Sequence, residues 1–85
     1  MMKILIEFSD EEIVEVAHHT AFTAIHIIED ETDEAWHAGK VALDILSKLE
    51  EGYPGLREDE RLVSGDEIEL LKTKVEAHFR RKVGR

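Results

Sequence analysis

The chain has 85 residues, of which 42% are hydrophobic and 36% charged, with no cysteine and a formal net charge of -9. One small domain that folds rather than stays disordered is expected, disulfide staples and thiolate chemistry are excluded, and the acidic balance argues against a general nucleic-acid binder. The charge is uneven: residues 1–71 carry 19 acids and 5 bases, whereas residues 72–85 carry 1 acid and 6 bases.

Residues 2–8 read MKILIEF. Met2, Ile4, Ile6 and Phe8 alternate with Lys3, Leu5 and Glu7, the period-two pattern of a half-buried strand. The run Ile4-Leu5-Ile6 is too short for the apolar core of a signal peptide, which needs about 7–15 residues. The expectation is a mature, cytoplasmic chain with no membrane span.

Ser9 opens the sequence SDEE, and Ser9 with Glu12 forms a capping box. A helix over 10–30 follows, with Ile13, Val14, Ala17, Ala21, Ala24, Ile25 and Ile28 spaced at three and four. Thr32 or Asp33 caps a second helix over 33–51. Its main stripe is Ala35, Ala38, Ala42, Ile45, Leu46 and Leu49. Trp36, Val41 and Leu43 widen the apolar surface beyond one face. Gly52 reads as a left-handed stop and Pro54 blocks continuation. The connection 52–64 is long for so small a domain. Within it Arg61-Leu62-Val63 is the one later piece suited to pair with the first strand. Ser64 and Glu67 repeat the capping box, and a third helix over 65–82 carries Ile68, Leu71, Val75, His78, Phe79 and Val83 along one seam. The whole is a mainly α (small α+β) domain spanning 1–85.

The stretch HIIEDETDEAWH, residues 26–37, is nearly palindromic. His26, Glu29, Glu34 and His37 fall level across a helical hairpin that turns near residues 31–32, and they form the candidate metal set. The rival pair of Glu-x-x-His motifs, Glu15 to His18 and Glu34 to His37, is out of register by about eight helical residues, or roughly 12 Å. On the helical wheel His26 and His37 point away from their apolar stripes, so a solvated corner is the preferred reading. His18 and His19 cannot both face one partner. His78 lies on a helix seam, as a packed, hydrogen-bonded histidine would. Ser9 and Ser64 are explained as caps, and GYPG is not a phosphate loop. No catalytic residue and no cofactor is expected.

The tail HFRRKVGR places cations where a helix dipole favours them. The function expected from all this is a non-enzymatic interaction or accessory module that self-associates, in the simplest case a homodimer. Trp36 and Leu43, together with Met2, Ile4 and Ile6, are the expected contacts. The alternatives are metal binding through His26, Glu29, Glu34 and His37, or an acidic mimic of nucleic acid that occupies a basic partner.

Overall fold

The computed structural model describes residues 1–62 and 65–83. Three helices and one short 3-10 turn follow in order: α1 (Asp10–Ile28), α2 (Asp33–Gly52), η1 (Leu56–Glu58) and α3 (Gly65–Val83). The α1–α2 hairpin is the most closely packed pair, and α3 packs against both of its helices.

The helix starts follow local chemistry. Glu12 N–H donates to Ser9 Oγ at 3.2 Å, and Ser9 N–H donates to the Glu12 carboxylate at 2.8 Å. The Ser9 backbone hydrogen bond is the main cause that draws the Glu12 carboxyl below its ordinary value. Ala35 N–H donates to Thr32 Oγ1 at 3.0 Å, which makes Thr32 the cap of α2. The expected Ser64 cap and Val63 lie outside the described residues. Between α1 and α2 the chain turns within four residues, and Glu31 takes a φ of 55°, the left-handed region that a side chain rarely adopts.

Two backbone expectations are corrected. Residues 2–8 form no strand: residues 1–9 lie outside helix and strand, and all of them are exposed. A lone strand needs a ladder partner, and the segment expected to supply one does something else. Arg61 lies in a turn, and Leu62 is buried in the core. Gly52 is not a left-handed stop either. It is the last residue of α2, and no described glycine has positive φ. The helix closes through Tyr53, whose N–H donates to the Leu49 carbonyl at 2.9 Å.

α1 buries Val14, Ala17, Ala21, Ala24 and Ile28, a narrow stripe at the predicted spacing. α2 buries Ala35, Trp36, Gly39, Ala42 and Leu46. At 100° per residue this buried face is rotated roughly 60° from the centre of the predicted stripe. Its middle is Gly39. A Cβ there would stand 2.8 Å from Ile28 Cγ2 and 3.1 Å from Val75 Cγ2. The missing side chain thus lets α1 and α3 both approach α2 at one level.

Residues 53–61, which follow α2, are held by one plug and two polar ties. Leu56 on η1 is fully buried, as is Leu71 on α3. Arg57 Nε lies 2.7 Å from Glu50 on α2, and its Nη1 donates to Glu69 on α3 at 2.9 Å. Tyr53 Oη donates to Asp59 Oδ2 at 2.7 Å, and Arg61 reaches both oxygens of the same carboxylate.

Gly39→Ala should destabilise the fold by about 1–2 kcal/mol. The clash falls on the β-branched methyls of two buried residues, which cannot swing aside, so overpacking outweighs the roughly 1 kcal/mol of helix propensity gained. Adding Ile28→Leu, which removes the closer methyl, should restore part of the loss in urea denaturation. Ser9→Ala should cost about 0.5–2 kcal/mol in the same assay, because it frees a backbone donor at the start of α1.

Candidate interaction face

The candidate metal set, the alternative reading of residues 26–37, does not come together among the described residues. His26 Nδ1 lies 3.9 Å from Glu29, with both side chains more than half exposed. Glu34 and His37 are exposed on α2. Among the described residues no three His, Asp or Glu side chains form a group that could hold a metal ion. His26 instead ends a ring ladder on α1. Phe22 meets it edge-on at 4.5 Å and stacks on His18 at 6.0 Å. His19 pairs with Glu15 at 3.3 Å.

Trp36 is covered within the chain. Its ring stacks on His78 at 4.3 Å, with the planes 6° apart, and His78 meets Phe79 edge-on. Lys40 Nζ stands 5.0 Å above the Phe79 ring. Leu43 is half-buried against the same core. Trp36, expected as a contact between copies, is instead covered by α3 of its own chain. The seam of α3 looks narrow when only aliphatic side chains are counted. The flat imidazole of His78 extends it over the indole.

The apolar surface left open lies on the opposite side. With α3 packed against Trp36 and Gly39, the outer face of the α1–α2 hairpin has no helix over it. Ala24, Ala38 and Ala42 form the floor of a groove of about 500 Å³. Ile27, Val41 and Ile45 stand along it, 37–45% exposed. Its polar residues are His19, Thr20 and Thr23, and no carboxylate lines it. In a chain with 20 acids, that is a neutral window.

At one end the groove runs into a second apolar hollow through Ile45. Ile4, Ile6 and Phe8 face Ile13, Ile45 and Leu49 there. Of the residues expected as contacts, Met2, Ile4 and Ile6 are on the surface, 62–85% exposed, whereas Trp36 is only 8% exposed. The residues that sequence reasoning assigned to an internal stripe, Ala38 and Ile45, belong instead to the open groove. The signal that finds them is Gly39. A mid-helix glycine with apolar residues one turn to either side, Ala35 and Trp36 before it and Ala42 and Leu43 after it, marks the line of closest approach, and the outer face follows from it.

The most strongly perturbed carboxyl lies on the connection. Hydrogen bonds from the Arg61 side chain, then from the Tyr53 hydroxyl, hold Asp59 well below the usual carboxylate range. The same Asp59 contact raises the Tyr53 hydroxyl above its ordinary value. These groups form a structural clasp, and none of them lines the open groove or the adjoining hollow.

That clasp gives a pH dependence of known sign. Below about pH 4 the unfolded chain binds a proton at Asp59 that the folded chain does not. The stabilisation is present above that pH and is lost as pH falls towards the depressed folded value. Asp59→Asn should therefore lower the melting temperature at pH 7 and flatten its decline below pH 4, as followed by circular dichroism. Comparisons of this chain with protein-family models, with curated proteins and with solved structures found no match.

Proposed function

We propose that this protein is a non-enzymatic interaction module that self-associates through the open face of its α1–α2 hairpin, in an accessory or regulatory role. The observation that carries the reading is the apolar groove of about 500 Å³ that the α1–α2 hairpin leaves open, with Ile27, Val41 and Ile45 standing 37–45% exposed along it.

The chemistry of the face supports a protein partner. Aliphatic side chains stand over an alanine floor, which lets a second backbone come close. A groove with no carboxylate in its lining, and with Glu15 at its edge paired to His19, admits another acidic copy with little like-charge opposition. The basic residues of α3, Lys72, Lys74, Arg80 and Arg81, add a weaker attraction to an acidic neighbour that salt screens. Among the described residues no helix is long and apolar enough to cross a membrane, so a lipid interior is not what covers these residues through a spanning helix.

Sedimentation equilibrium tests the reading. The wild-type chain should sediment well above 9.8 kDa at micromolar concentration. Ile45→Glu, at a residue shared by the groove and the adjoining hollow, should weaken association roughly tenfold or more, because it places a charge in the apolar contact. Its helical circular dichroism should stay close to wild type, because Ile45 is already 42% exposed. A wild-type chain that remains a monomer across the range, or an Ile45→Glu variant as associated as wild type, would refute it.

A further inference from the structure

We infer that residues 2–8 of two copies pair with each other as an antiparallel two-stranded ribbon, which clasps the self-associated form. The inference rests on the self-association proposed above and names how one part of it is built.

The segment has strand chemistry without a strand to join. Its side chains alternate, and the structure keeps the alternation. Ile4, Ile6 and Phe8 line the hollow against Ile13, Ile45 and Leu49, whereas Leu5 between them is wholly exposed. No strand exists among the described residues, so none of them provides a ladder. A second copy provides one of matching length and pattern.

The sequence also fits itself in one register. Centred on Leu5, antiparallel pairing sets Met2 opposite the partner's Phe8, Ile4 opposite the partner's Ile6, and Lys3 opposite the partner's Glu7. The two-fold axis generates each of these pairs twice. Both charged residues of the segment thereby meet opposite charge across the ribbon. Parallel pairing in register would instead set Lys3 beside Lys3 and Glu7 beside Glu7. A shift by one residue would turn the apolar side of one strand away from the helices. A two-stranded ribbon is marginal in water by itself. Here its apolar face has a surface to lie on, because Ile13, Ile45 and Leu49 already line the hollow that residues 4, 6 and 8 share.

The chain has no cysteine, so single cysteines report the register directly in the full-length protein. Leu5→Cys sits on the two-fold axis and should form an intermolecular disulfide rapidly under mild oxidation. Lys3→Cys should not link to itself, because antiparallel pairing separates the two copies of position 3 by about four residues, roughly 14 Å, well beyond disulfide reach. An equal mixture of Lys3→Cys and Glu7→Cys should give the mixed disulfide. In sedimentation, Lys3→Glu and Glu7→Lys should each weaken association about three- to tenfold at low salt, since each turns two opposite-charge pairs into like-charge pairs. The double exchange should return it close to wild type.

If the wild type associates but position 3 links to itself as readily as position 5, or the double exchange fails to restore affinity, the ribbon is wrong while self-association stands. If the wild type sediments as a monomer throughout, both fall.

Discussion

The approach of three helices at Gly39 is the constraint on which the rest of the structure depends. Ile28 from α1 and Val75 from α3 meet α2 where a side chain would stand, and the space left for a Cβ is smaller than a Cβ needs. Helices with ordinary side chains between them pack 8–10 Å apart. A glycine opposite two β-branched residues lets both neighbours close in at one level. Once Gly39 faces inward, the helical repeat decides the rest of α2. Trp36 and Leu43 turn towards α3, Ala35, Ala42 and Leu46 close the core, and Val41 and Ile45 are carried out to the surface.

The position of α3 follows from that level and from the connection before it. The Leu56 plug fills the core end of the connection, and Arg57 ties η1 to Glu50 on α2 and to Glu69 on α3. Arg57, 28% exposed, thus joins a carboxylate on each of the two helices that the segment connects. The stack of Trp36 on His78 then fixes how far along α2 the third helix sits. His78 supplies aromatic surface at a point where an aliphatic side chain would leave part of the indole bare.

The surface consequence has the same origin. A hairpin of two helices has two faces, and a single third helix covers one. The α1–α2 groove is the face α3 does not reach, and it is poor in charge where most of the surface is rich in it. The apolar N-terminal segment adjoins it through Ile45. Two features with separate causes, a helix hairpin left half covered and an alternating segment with no ladder, thus meet at one end of the molecule and form a continuous apolar face there.

The sequence by itself determined the local elements. Ser9 and Thr32 mark two helix starts, the three-four spacing of α1 names its buried residues, and the three helices fall within one or two residues of their predicted bounds. Those features depend on neighbours a turn apart, and the side chains that produce them lie within a few residues of each other. The sequence also carries the alternation of residues 2–8, but alternation states only that one side of the segment is apolar. Whether a strand forms depends on a partner, and of the segment expected to supply it Arg61 lies in a turn and Leu62 is buried in the core. Only the tertiary structure decided which face of α2 is inside. Hydropathy weighs glycine as nearly nothing and tryptophan as broad apolar surface. Packing reverses those weights, because the residue that brings the helices closest has no side chain, and the indole finds its cover on His78, forty-two positions further along the chain.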